Sequence, residues 1–190
     1  IVDLAAQAGA DAIKIQTYTP ETITMKSSRK EFFIADKKNI WRSNSLYSLY
    51  KKAHTPWDWH QEIFDRAKKN KLIYFSSPFD ETAVDFLETL NVPLYKVASF
   101  ENNHFPLLKR IAKTGKPVIM STGLASLNDI KEAVKYLKMH GCRQLALLKC
   151  TSSYPSNPKD LNLLTIKKMK NLFKCEVGFS DHSLGIGAAI

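Results

Sequence analysis

Six short apolar runs, each breaking into polar residues at its C-terminal end, constrain this chain more than any other feature. They occupy positions 12–16, 72–77, 94–101, 117–122, 145–151 and 176–182, and end in Gln16, Ser77, Ser99 to Glu101, Ser121-Thr122, Lys149 to Thr151 and Ser180 to His182. Strand-sized and almost continuously apolar, such runs fit strands buried on both faces, as in parallel sheets. The segments between them carry helix signals. The spacing predicts helices over 2–9, closed by Gly9-Ala10; over 46–53; from a Thr55 N-cap with Pro56 at the first helical position to about 70; and over 81–90 behind an Asp80 cap. Three more are predicted from His104-Phe105-Pro106 to Thr114-Gly115, from Ser126 or Leu127 to Met139, and between Asp160 and Phe173.

Strands that alternate with helices, without hairpin signals, make parallel βαβ units. The choice lies between an open doubly wound sheet and a closed (β/α)8 barrel. A doubly wound sheet binds ligands at one switch point, whereas every strand of a barrel feeds one mouth. Here every run ends in polar groups, and neither a dinucleotide glycine fingerprint nor a P-loop is present. The expected fold is therefore α/β, an incomplete TIM barrel of about six βα units that lacks its first and last strands. The passage from 17 to about 44 has no sustained period, and is either a lid over the site or a structural insertion.

Charge and cysteine usage narrow the function. A formal charge of +10 raises nucleic-acid binding, because clustered cations attract phosphate backbones. The lysines at 51–52, 68–71 and 167–170 fall instead at ends or solvated faces of predicted helices, where cations suit the helix dipole. No run approaches the roughly 18 to 20 apolar residues of a membrane helix. Cys142, Cys150 and Cys175 are too few and too irregular for a disulfide framework, which points to a reducing cytoplasm. The chain opens inside a helix-like segment without a start methionine and stops in mid-pattern at Ile190, so a longer protein is expected.

The candidate chemistry sits at the strand ends. Lys14 and Lys96 interrupt apolar strands, and a buried ammonium needs an anion or a carboxylate. Ser77, Ser99, Ser121 and Ser180 stand at corresponding ends, so the set fits a bound phosphate or carboxylate. Glu101 is a candidate acid or base. Asp181-His182 resembles a metal or acid/base position, and the rigid loop 152–158 can present Tyr154 over the mouth. Trp57 and Trp59 either line a sugar site or pack on the core. His54, His60, His104 and His140 lie near helix ends and read as surface or capping groups.

Six ordered motifs carry a resemblance: Lys14-Ile15-Gln16, Ser76-Ser77-Pro78-Phe79-Asp80, Tyr95 to Glu101, Met120-Ser121-Thr122-Gly123, Lys149 to Pro155, and Gly178 to Gly185. In order and spacing they resemble the sialic acid synthase family, which condenses phosphoenolpyruvate with N-acetylated amino sugars. The stretch 55–60, Phe100 and the paired Ser152-Ser153 resemble most the branch that makes pseudaminic acid, with the N-acetylneuraminate and legionaminate branches next. The resemblance implies a cytoplasmic bacterial transferase with a TIM barrel, a C-terminal antifreeze-like domain in the intact protein, a homodimer, and a divalent cation, Mn²⁺, Mg²⁺ or Co²⁺. It implies that Lys14, Ser77, Lys96, Ser99, Ser121, Tyr154 and Ser180 hold phosphoenolpyruvate, that Gln16 faces the substrates, that His182 is one metal ligand, and that Glu101 is an active-site glutamate. Serine stands at 77 and 152 where some relatives carry threonine or asparagine. An N-terminal catalytic glutamate and a second metal histidine would lie outside positions 1–190, so these residues alone are expected to turn over negligibly. A sugar-phosphate aldolase acting through a lysine Schiff base, and a nonenzymatic basic binding module, stay open as alternatives.

Overall fold

The structure, a computed structural model, describes residues 1–35 and 40–190. Part of the long polar passage predicted between the first two strands, residues 36–39, lies outside the described residues. The chain divides into two compact units, Ile1–Val92 and Pro93–Ile190.

In the first unit α1 (Val2–Gln7) leads into β1 (Ala12–Thr17), a single-turn α2 (Pro20–Ile23), α3 (Leu46–Ala53), α4 (Trp59–Lys69), β2 (Ile73–Pro78) and α5 (Glu81–Thr89). β1 and β2 run parallel, with Lys14 beside Phe75, Ile15 beside Ser76 and Gln16 beside Ser77. Paired residues share a face and neighbours along a strand alternate. Lys14, Gln16, Phe75 and Ser77 therefore share one face. The other face carries Tyr74, whose ring packs 4.8 Å from Phe64 of α4, and Thr17, which hydrogen-bonds His60 of the same helix. α1 is clamped onto α4 by Asp3, whose carboxylate accepts from Arg66 Nε at 2.6 Å and from Asn70 Nδ2 at 2.8 Å. These two side chains hold the Asp3 pKa at about 2, the Arg66 hydrogen bond being the larger cause.

Two expectations are corrected in this unit. The helix expected to start at Pro56 begins three residues later, at Trp59, because Pro56 and Trp57 accept the N–H groups of Trp59 and His60 in tight turns. His60 is fully buried rather than a surface or capping group. Its Nδ1 donates to the Pro56 carbonyl at 3.1 Å, which leaves Nε2 to accept from the Thr17 hydroxyl at 2.8 Å. With both ring nitrogens satisfied, burial costs no orphaned polar atom. Of the two tryptophans, Trp57 stacks on Phe86 with ring centroids 4.6 Å apart, whereas Trp59 is exposed.

The second unit runs β3 (Tyr95–Val97), α6 (Phe105–Ala112), β4 (Val118–Ser121), α7 (Leu127–Met139), β5 (Leu145–Cys150), α8 (Thr165–Phe173) and β6 (Glu176–Ser180). Its four strands pair in parallel in chain order. Tyr95, Val97, Met120 and Leu147 share one face and are fully buried, forming the core with Leu107, Leu108, Ile111, Ala133 and Leu137. α7 starts from a reciprocal cap in which the Ser126 hydroxyl accepts from Asp129 N–H and the Asp129 carboxylate accepts from Ser126 N–H. β3 is shorter than the predicted run 94–101. After Val97 the chain curls into a 3₁₀ turn, Ser99–Glu101, closed by Glu101 N–H donating to the Ala98 carbonyl at 3.2 Å. Parallel βα repeats in both units make the chain α/β, as expected.

Candidate active site

Pairing register selects the site residues of the second unit. Lys96 lies beside Ile119; Ser121 follows two residues later on the same face; and Ser121 pairs with Leu148, whose face-mate Cys150 pairs with Ser180. Lys96, Ser121, Cys150 and Ser180 thus share the face opposite the packed core. Lys96 is only 7% exposed, and its ammonium donates to Ser121 Oγ at 2.6 Å and to the Val97 carbonyl at 2.7 Å. A cation beside a hydroxyl at a strand end has the donor chemistry that suits an anion, since charge-assisted hydrogen bonds are the strong ones.

The loops after β3, β4 and β5 extend this face. Ser99 Oγ accepts the N–H of Gly123 at 3.2 Å and donates to Cys150 Sγ at 3.4 Å. Ser152 Oγ lies 3.9 Å from the same sulfur. Glu101 has one carboxylate oxygen, Oε2, that is buried without a hydrogen-bond partner. Burial pushes its carboxyl above the usual glutamate range, with a backbone hydrogen bond and the nearby Lys96 charge pulling partly back. A carboxyl with one unpartnered oxygen and a raised pKa suits proton transfer.

His182 stands just past β6. Its Nδ1 lies 3.0 Å from the Thr151 carbonyl, so that nitrogen carries the proton and Nε2 keeps its lone pair, with Ser180 Oγ 3.4 Å away. A histidine anchored through Nδ1–H to a backbone carbonyl is prepared as a metal ligand. The residues present therefore fit one ligand of a divalent cation; among the described residues no cluster of three His, Cys, Asp or Glu side chains accompanies it. The Tyr154 ring packs against the His182 ring at 4.2 Å, and Ser156 N–H donates to the His182 carbonyl at 2.9 Å, tying the two loops together. Tyr154 is 70% exposed, and what burial it has pushes its phenol up.

In the first unit Lys14, Gln16 and Ser77 share the β1–β2 face turned away from α4. Ser77 is buried, but Lys14 and Gln16 are exposed, so Lys14 is not the buried lysine that its apolar flanks announced. Desolvation by the surrounding protein still lowers the Lys14 pKa below the usual lysine value. Its solvent access makes that shift a minor energetic matter. The sequence reading missed Cys150 and Gly123, although both lie within quoted motifs; alternation along β5 was the signal that placed Cys150 on the site face.

The sequence matches the NeuB family over residues 1–190. A pseudaminic acid synthase of Campylobacter jejuni is 43% identical over 189 residues, covering 100% of this chain and 54% of that protein. An N,N'-diacetyllegionaminic acid synthase from the same species is 34% identical over 189 residues, covering 98% and 56%. Among solved structures, the N-acetylneuraminic acid (sialic acid) synthetase of Leptospira borgpetersenii superposes with a TM-score of 0.85 at 33% identity, covering 98% of this chain and 60% of that one. That match gives the TIM-barrel type expected from the alternating strands. The chain spans about half the length of the curated relatives it matches.

Proposed function

The chain belongs to the NeuB family, and from that premise we propose that it forms the catalytic barrel of a pseudaminic acid synthase. The reaction is condensation of phosphoenolpyruvate with 2,4-diacetamido-2,4,6-trideoxy-altrose and water. C3 of the enolpyruvate attacks the aldehyde carbon, the aldehyde oxygen takes up a proton, water adds at C2, and phosphate leaves with the oxygen of the broken C–O bond. The observation that carries this reading is the buried Lys96–Ser121 pair on a strand-end face shared with Cys150 and Ser180.

On this reading the Lys96 ammonium and the hydroxyls of Ser99, Ser121, Ser152, Tyr154 and Ser180 hold the trianionic ligand, and the family resemblance adds Lys14, Gln16 and Ser77 of the first unit as substrate-binding residues. Preorganised donors bind most strongly where charge develops. Glu101 moves a proton at the reacting centre, its carboxyl held above the usual glutamate range by burial. His182 Nε2 would hold a divalent cation, Mn²⁺, Mg²⁺ or Co²⁺, which when bound polarises the aldehyde as a Lewis acid. A homodimer, a C-terminal antifreeze-like domain in the intact protein and a cytoplasmic setting complete the proposal. No helix among the described residues is long and apolar enough to cross a membrane.

The second reading, a legionaminate or N-acetylneuraminate synthase, differs only in the amino sugar. Greater identity to the pseudaminic acid synthase, 43% against 34%, favours the first. Phosphate release by the intact protein from phosphoenolpyruvate, with each candidate sugar in turn and mass spectrometry of the product, tests both. Release only with the altrose derivative supports the first reading; release only with another amino sugar replaces it. Turnover without phosphoenolpyruvate, through a borohydride-trapped Schiff base at Lys14 or Lys96, would make the protein an aldolase instead.

A further inference from the structure

Gly123, in the motif that also supplies Ser121, has no part in the chemistry above. Its backbone lies outside the left-handed region, so glycine is not there for conformational freedom. It is there for space. A Cβ at this position would lie 2.2 Å from Ser152 Oγ, 2.8 Å from Ser99 Oγ and 3.1 Å from Cys150 Sγ, well inside van der Waals contact for the first two. Its N–H also donates to Ser99 Oγ at 3.2 Å.

We infer that Gly123 is a positioning residue for the anion site, resting on the function proposed above: its bare Cα lets the loop hydroxyls of Ser99 and Ser152 close on one point, and its N–H fixes the Ser99 oxygen. The proton of Ser99 is then the movable part. With Oγ accepting from Gly123, the O–H points at Cys150 Sγ, 3.4 Å away. A thiol sulfur is a weak acceptor, so the hydroxyl turns from sulfur to an arriving phosphate or carboxylate oxygen at little cost. Any larger residue at 123 pushes Ser152 and Ser99 apart and spoils both the convergence and the donor.

The test is a double-mutant cycle in the intact protein. Gly123→Ala is expected to raise KM for phosphoenolpyruvate about tenfold or more while KM for the amino sugar moves less than about twofold. In a Ser152→Gly background, where the largest clash is gone, the same substitution is expected to lose most of its effect on the KM for phosphoenolpyruvate, while a merely structural role would move both KM values and the melting temperature together. Folding of Gly123→Ala only in that background counts for the inference. Equal effects in both backgrounds, or equal rises in both KM values, overturn it. If the parent consumes no phosphoenolpyruvate the functional reading falls, and the positioning claim is then decided by a crystal structure of Gly123→Ala: displaced Ser99 and Ser152 hydroxyls uphold it, unmoved ones refute it.

Discussion

Lys96 and Ser121, on neighbouring strands of the second unit, meet at 2.6 Å with the lysine donating. Lys96 is almost fully enclosed, and its charge lies close enough to Glu101 to draw that carboxyl's pKa partly back down. Replacing it separates binding from folding. Lys96→Ala in the intact protein is expected to raise KM for phosphoenolpyruvate and lower kcat, reducing kcat/KM roughly 10- to 100-fold, the worth of a charge-assisted hydrogen bond or two, while circular dichroism stays native. Unchanged kcat/KM would remove Lys96 from the site.

Glu101 is expected to set the acidic limb of the rate profile. Burial, the largest influence on it, raises its folded pKa above the unfolded value. The limb in kcat/KM should therefore fall above the ordinary glutamate range, and disappear in Glu101→Gln. Linkage gives a second readout. With the folded pKa raised, the folded state binds more protons, so stability is fullest below the unfolded pKa and declines as pH rises through the folded one. Glu101→Gln should thus melt higher than the parent at neutral pH while turning over more slowly. An acidic limb that persists in the variant would assign it to another group.

The Thr17–His60 pair holds β1 against α4 and responds oppositely to acid. Desolvation lowers the folded His60 pKa below its unfolded value, so the unfolded state binds more protons between the two. Stability is complete above about 6.5, the unfolded histidine value, and falls as pH drops through it toward the folded pKa. Thr17→Val leaves Nε2 without its donor and is expected to cost on the order of 1–3 kcal/mol at neutral pH, read by denaturant unfolding. A variant as stable as the parent would mean the network is not holding the unit together.

His182 is expected to govern metal use. Chelation should stop turnover by the intact protein, and added Mn²⁺ should restore it. His182→Ala should then require on the order of tenfold more Mn²⁺ for half-maximal rate. Identical metal titrations for variant and parent would exclude His182 as a ligand.

Much of this was legible in the sequence because strand ends are local signals. The breaks at Ser77, Ser121 and Ser180 marked strand ends that carry polar groups, and the Asp80 cap fixed one helix start to the residue, while the start expected at Ser126 or Leu127 falls at Leu127 behind a Ser126 cap. What escaped depended on partners far along the chain. His60 looked like a helix-end histidine, and its burial is tolerable because Thr17, forty-three residues away, satisfies the ring nitrogen that the Pro56 carbonyl does not. Thr55-Pro56 carried the signature of a helix start, yet the Pro56 carbonyl is taken by Trp59 N–H and by the His60 ring. Ser99 to Glu101 read as the end of a strand because apolar pattern does not distinguish an extended segment from a single 3₁₀ turn. The need for glycine at 123 comes from Ser99, Cys150 and Ser152, none of them its neighbour in sequence.

The central claim is that cationic and hydroxylic groups from separate strands bind one enolpyruvyl ligand. A crystal of the intact protein soaked with phosphoenolpyruvate tests it most directly. The expected result is Lys96 Nζ, Ser121 Oγ and Ser180 Oγ each within about 3 Å of the same ligand's phosphate or carboxylate oxygens. A ligand bound elsewhere, or these three side chains pointing away from it, would contradict the account.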